Sequence, residues 1–151
     1  MELTRATAET GEFAGWAYWP DDPFEARAGP FYMREARADE EGEGEGPVAA
    51  FRVAPHHCNA GGVVHGGCLM AFADFALFAI AGPVLEGAYG VTVSFASEFV
   101  APARAGARIE ARGEVTGGGR SLLFVRGVAR AEGAAVLSFS GTIKRIVPRG
   151  V

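Results

Sequence analysis

The spacing of hydrophobic and polar positions changes along this chain, and the changes predict its elements. Residues 68–80 read Cys-Leu-Met-Ala-Phe-Ala-Asp-Phe-Ala-Leu-Phe-Ala-Ile, an apolar stretch interrupted only by Asp74. Its length fits a helix better than a strand, and a helix that is apolar all round must be buried. Before it, Phe31–Ala38 and Val48–Ala54 read as strands, joined by the acidic, Gly-interrupted run Asp39–Glu45, a solvated loop. After it, Gly87–Gly90 forms a turn and Val91–Val100 a strand rich in β-branched and aromatic residues. Arg108, Glu110, Arg112 and Glu114 then alternate with Ile109, Ala111, Gly113 and Val115, which is a strand with one wet face. Gly117–Gly119 turns the chain into Ser121–Arg130, and Glu132-Gly133 turns it into Ala135–Val147. The expected order is two strands, one long helix and four strands, joined largely by hairpins. One apolar helix among about six antiparallel strands is buried on all sides only if the sheet curls around it, so the predicted class is α+β.

The first thirty residues follow no such period. They carry Phe13, Trp16, Tyr18, Trp19, Pro20, Pro23 and Phe24. A short helix over Thr4–Trp16 is expected, then an irregular segment enforced by the two prolines. The aromatics would cover the core or the mouth of a pocket. The domain reading is an N-terminal extension over 1–30 and one domain over 31–147, with no internal repeat.

Composition narrows the classes. At 151 residues the chain suits a single domain with a real core. A net charge of −4 argues against a nucleic-acid footprint, which needs a clustered basic surface. Cys58 and Cys68 make no disulfide framework, and no basic segment followed by an apolar core opens the chain. A reducing cytoplasm is therefore the expected location. Cys68–Leu85 reaches the length of a membrane span, but an Asp near its centre costs about 2.5–3.5 kcal/mol on insertion. Pro83 and the lack of flanking Lys or Arg weaken a span further, so a buried core helix is expected and no membrane partner.

The candidate chemistry lies where the helix begins. The run Asn59-Ala-Gly-Gly-Val-Val-His65-Gly66-Gly67 leads directly into the apolar stretch. A helix opening at Gly66-Gly67 exposes unpaired N–H groups that suit a developing oxyanion, and glycine admits a substrate close to the backbone. Asp74 follows Gly66 by eight residues, about 12 Å along the axis at 1.5 Å per residue. That distance is too long for both to act on one carbonyl. If both are catalytic, they come from two antiparallel helices related by a two-fold axis, which makes two composite sites in a dimer. The chemistry would be hydrolysis of an activated acyl group, with a carboxylate as general base or nucleophile. No G-x-S-x-G elbow is present. Simpler readings stand beside this one: Asp74 satisfied by a nearby hydroxyl, His65 as a helix cap, Asn59 starting a turn. Gly117–Gly119 with Arg120 is either a hairpin turn or a phosphate cradle. His56, His57, Cys58 and Cys68 match no tetrahedral zinc spacing, and no metal is expected.

At these residues the sequence resembles the hotdog-fold acyl-CoA thioesterases of the PaaI type, whose pattern is an Asn, then G-x-x-H-G-G, then an acid nine residues after the His. Asn59, Gly62, His65, Gly66, Gly67 and Asp74 stand at those positions. Gly90-Val-Thr92-Val and the stretch Phe99–Gly106, with Pro102, Arg104 and Gly106, resemble the family's next strand and its Pro-x-[Arg/Lys]-x-Gly turn. The resemblance covers about Phe31 to Arg145. It implies a curved antiparallel sheet wrapped around one helix, in homodimers whose sheets join or in homotetramers, hydrolysing acyl-CoA. By likeness, Asn59 and the Gly66 N–H polarise the carbonyl and His65 shapes the pocket. Asp74 of the other subunit activates water or attacks, and Thr92 stands where relatives orient that water. Gly67, Arg104 and Gly119-Arg120-Ser121 lie where relatives contact CoA, which is part of the substrate, so no separate cofactor is implied. Two rivals share the fold: an acyl-CoA hydratase or dehydratase using a His base, and a non-enzymatic acyl-CoA-binding sensor.

Overall fold

The computed structural model describes residues 4–38 and 44–146. The acidic residues 39–43 and Val147, at the end of the last expected strand, lie outside the described residues. Its elements are β1 (Ala6–Thr7), β2 (Ala17–Tyr18), α1 (Glu25–Ala28), β3 (Tyr32–Arg34), β4 (Arg37–Ala38), β5 (Gly44–Glu45), β6 (Val48–Arg52), α2 (Gly66–Leu85), β7 (Tyr89–Phe99), β8 (Arg108–Gly118), β9 (Leu122–Ala131) and β10 (Ala134–Ile146). A 3₁₀ turn at Pro55–His57 follows β6.

One eight-stranded antiparallel sheet runs in the order β1-β2-β3-β6-β8-β9-β10-β7. Its inner-facing residues, including Phe51, Ile109, Val125, Leu137 and Ile143, close on α2. The helix packs against β3, β6, β7, β8, β9 and β10. Buried positions recur around its circumference, from Leu69 and Phe72 through Ala76 and Leu77 to Ile80 and Leu85, which is why its sequence shows no polar face. By length and composition alone this helix could cross a membrane; here the sheet enclosing it supplies the apolar surroundings. Gly141 lies where the sheet packs closely on the helix. A Cβ there would collide with Leu77 Cδ1, so any larger residue forces the Leu77 side chain to shift.

The six expected strands are present, and the N-terminal segment adds two more to the same sheet. The helix expected over Thr4–Trp16 does not form. Gly11 and Gly15 both take positive φ (82° and 85°), and the chain turns back so that Ala8 N–H donates to the Trp16 carbonyl at 2.9 Å. Phe13 and Trp16 thereby reach the outer face of the sheet and bury with Val48 and Ala50, a second cluster opposite the main core. Burial of two large aromatics outweighs the modest helix propensity of the segment. Among the described residues, the helical turn of the first thirty is instead α1. The strand expected over Phe31–Ala38 is broken: Arg37 and Ala38 are exposed and peel away to pair with β5.

The helix α2 runs antiparallel to β7. Gly66 sits against the Phe99 ring, Asp74 beside Thr92, and Phe78 beside Gly90. Because β7 ends the sheet, its outer edge has no partner strand among the described residues.

Candidate active site

The predicted residues fall in three places along α2. At its start, Asn59 Oδ1 accepts from Gly61 N–H at 2.9 Å and from Val63 N–H at 3.4 Å. This local turn uses the amide's oxygen and leaves its NH2 group without an acceptor among the described residues. His65 is the N-cap, with extended backbone and Nδ1 accepting from Gly67 N–H at 2.9 Å. A ring that accepts at Nδ1 carries its proton on Nε2 when neutral. The Cys68 and Leu69 N–H groups turn to the His65 carbonyl, at 2.9 and 3.1 Å. The Gly66 N–H is left without an acceptor among the described residues, at the positive end of a twenty-residue helix. Arg104 joins this end: its backbone bridges to Val63, and its guanidinium lies 3.6 Å from where a Gly62 Cβ would stand. Asn59, His65, Gly66, Gly67 and Arg104 thus form one cluster, in which the cap role for His65 and the turn role for Asn59 coexist with free N–H donors.

Asp74 lies two turns further on. The Thr92 hydroxyl donates to its Oδ1 at 2.6 Å, a short charge-assisted bond. The same carboxylate lines a cavity of about 750 Å³ with Trp19, Phe31, Phe75 and Phe78. Trp19 packs edge-on against Phe75, 5.8 Å between ring centres, so the N-terminal aromatics serve both expected roles: Phe13 and Trp16 in a core, Trp19 at the cavity.

Gly119, Arg120 and Ser121 are at the far end. They form the β8–β9 hairpin loop, closed by Gly119 N–H donating to the Leu122 carbonyl at 2.8 Å. Arg145 fastens this loop to the last turn of α2, its N–H donating to Ser121 O at 2.8 Å and its guanidinium to Val84 O at 2.6 Å. Arg104 and Arg120 therefore flank β8, whose eleven residues span roughly 33 Å. One subunit does not bring them together.

One cavity residue has no counterpart among the sequence-based candidates. Glu25 lies in α1 and lines the Asp74 cavity; its Oε2 is sealed from solvent with no hydrogen-bond partner among the described residues. Burial, reinforced by the nearby Asp22 and Asp74 charges, pushes its carboxyl up to about 7. The segment is pinned by His57, whose Nε2–H donates to the Gly29 carbonyl at 3.0 Å while Nδ1 accepts from Ala54 N–H at 2.9 Å. Burial holds the His57 ring below the usual imidazole range. The Cys68 thiol is pushed up to about 11 by burial, which leaves it protonated and unreactive at neutral pH. Among the described residues, no three His, Cys, Asp or Glu side chains cluster as metal ligands.

The thioesterase superfamily model matches residues 61–138, from the turn before α2 into β10. The TT0310 protein from Thermus thermophilus is 31% identical, over 83% of this chain and 98% of that one, with a TM-score of 0.66. A mutant of the phenylacetic acid degradation protein PaaI from the same organism is 30% identical, over 83% and 100%, with a TM-score of 0.66. The BH2602 protein from Bacillus halodurans, solved with CoA, is 21% identical over 76% and 75%, TM-score 0.64, a likeness of fold. No curated protein matches the chain. The chain belongs to the thioesterase superfamily, and its fold is the hotdog of the PaaI type. The family model begins after α1, so Glu25 lies outside the stretch it matches.

Proposed function

We propose that the protein hydrolyses acyl-CoA thioesters at two composite sites, each built by two copies of the chain. The observation that carries this is the pairing of an unused Gly66 N–H at the start of α2 with a Thr92-bound Asp74 about 12 Å further along the same helix. Both lie beside β7, an eleven-residue edge strand with Tyr89, Val91, Val93 and Phe99 exposed. A long apolar edge is a template for pairing. Two β7 strands joined antiparallel about a two-fold axis bring the Gly66 end of one helix toward Asp74 of the other. The partner's α2 then continues for eleven residues beyond Asp74, about 16 Å, carrying its Gly119–Ser121 loop outward. A CoA chain leaving the thioester passes Arg104 of one subunit and reaches Arg120 of the other.

In this reading the thioester oxygen accepts from the Gly66 N–H and the Asn59 NH2 group, and His65 fixes the turn by capping. Asp74 takes a proton as water adds to the carbonyl carbon. The oxyanion is held by the same two donors. Its collapse breaks the C–S bond, and the proton on Asp74 passes to the departing sulfur, leaving the free acid and CoA thiol. Direct attack by Asp74, through an anhydride that water then opens, uses the same groups. A hydratase needs a histidine base, whereas His65 Nδ1 is already engaged by Gly67 N–H. The test is thiol release across short, medium, long and aryl acyl-CoAs. Asp74→Asn should lose most of kcat while still binding the thioester. Binding without turnover of any of them by the unaltered protein would replace hydrolysis with the sensor reading.

A further inference from the structure

The segment 19–29 brings Trp19 and Phe24 to the Asp74 cavity, yet no strand holds it. Among the described residues its backbone hydrogen bonds are all internal, such as Gly29 N–H to the Glu25 carbonyl at 2.8 Å. Bonds from the rest of the chain meet it at one spot, its last two carbonyls. His56 and His57 each place Nε2 3.0 Å from Gly29 O, and the Cys68 thiol lies 4.0 Å from Ala28 O.

His57 is the firmer of the two histidines, being 3% exposed where His56 is open to solvent. Ala54 N–H donates to its Nδ1 at 2.9 Å, which leaves the proton on Nε2 and aims it at Gly29. Phe51 of β6 packs edge-on to the ring, 5.0 Å between centres. The His57 carbonyl accepts from His65 N–H at 2.8 Å. The residue is thus tied by its main chain to the start of α2 and by its ring to the end of α1. A neutral ring with both nitrogens satisfied suits this bridge, and a charged one does not, because a second proton sets Nδ1–H against Ala54 N–H. The titratable side chains around the ring are His56 and Cys58 on its own turn, Arg27 of α1, and His65 and Cys68 at the start of α2. Glu25 of α1 lines the Asp74 cavity instead. No acid around the ring balances a charge, so an imidazolium leaves for water and both of its bonds go with it.

We infer that His57 is a positioning residue of the acyl site: its neutral ring hangs the 19–29 wall from the turn before α2, and large acyl groups bind well only while that wall is held. This role rests on the acyl-CoA reading above, in which the acyl group lies in the cavity beside Asp74. An acetyl group ends beside Asp74 and leaves the wall unused, so its binding is indifferent to His57.

The experiment compares acetyl-CoA with octanoyl-CoA and benzoyl-CoA from about pH 8 to about pH 5, a range that brackets the ordinary imidazole value. It uses the full-length protein and its variant His57→Gln, whose amide keeps an acceptor and a donor but takes up no proton. KM for the two larger thioesters, relative to acetyl-CoA, should rise at least about fivefold toward acid in the unaltered protein, while the kcat ratio holds within about twofold. Ratios remove the titration of Asp74, which all three substrates share. In His57→Gln the KM ratio should stay flat. A second signal needs no turnover. In a Trp16→Phe background Trp19 is the one indole left, and its emission should shift to the red toward acid with circular dichroism unchanged. A flat KM ratio or a flat Trp19 emission in the unaltered protein overturns the inference, even if His57→Gln does not fold. A ratio that moves equally in His57→Gln also overturns it. If no thioester is hydrolysed, calorimetric Kd ratios for the same three decide: a ratio that moves with pH only while His57 is present upholds its role while hydrolysis falls, and a flat one refutes it.

Discussion

Thr92→Val tests the catalytic reading at one atom. Valine keeps the branched shape of threonine and fills the same half-buried space on β7, so the change removes a hydroxyl without opening a cavity. What is lost is the 2.6 Å bond to Asp74 Oδ1. Hydrogen bonds to charged groups contribute about 1.5–3 kcal/mol. If that energy holds the Asp74 carboxylate in position for proton transfer, the barrier rises by the same amount and kcat/KM falls about 10- to 150-fold. The loss should sit in kcat, because Thr92 lies at the carboxylate and not along the path to Arg104 or Arg120. Thiol release followed spectrophotometrically at fixed pH measures it, with circular dichroism to verify folding. Thr92→Ser, which restores the hydroxyl, should recover most of the rate. A Thr92→Val protein within twofold of the unaltered rate would refute the argument and leave the bond as a purely structural partner for a helix-interior acid.

Two further outcomes follow from the geometry. Val93 is 52% exposed on the unpartnered β7 edge; Val93→Glu should convert the assembly to monomers in sedimentation and abolish turnover with them, and an active monomer would sink the shared site. Glu25 is protonated more readily in the folded chain, at about 7, than at its ordinary value of 4.5. Its contribution is fully present below about pH 4.5 and is lost as pH rises through about 7. The shift corresponds to about 3.4 kcal/mol at most, and solvent screening of a half-buried side chain reduces it to about 1–2 kcal/mol. Glu25→Gln should flatten that part of the stability–pH profile in urea titrations, and an unchanged slope would count against the assignment.

How much of this is legible in the sequence depends on which forces each residue answers to. The helix α2 and strands β7 to β10 are readable because burial imposes a period, all-apolar for the helix and alternating on β8. The Asn59–Gly67 turn is readable because its chemistry is local: spacing alone places a cap, an amide and free N–H groups together. Thr4–Trp16 misleads because its composition permits a helix, while Gly11 and Gly15 turn it so that Phe13 and Trp16 bury against the outer face of the sheet. The contact of Asp74 with Thr92 joins residues eighteen apart and exists only because helix and edge strand run antiparallel. Glu25 is not readable at all. An acid in a Pro-rich segment looks solvated, and its half-burial beside the Asp74 cavity is a tertiary event with no local trace.

The cavity wall draws on two stretches of chain, one of which also carries the reactive face. Trp19, Glu25 and Phe31 supply one side of the wall, and Phe75, Phe78 and Leu85 of α2 the other, while Asn59 through Arg104 hold the donors, the carboxylate and its threonine. Substitutions in the first stretch reshape what the cavity receives without touching the atoms that would break the thioester bond. The N-terminal side of the wall is thus the part of the cavity that can vary independently of the reactive atoms.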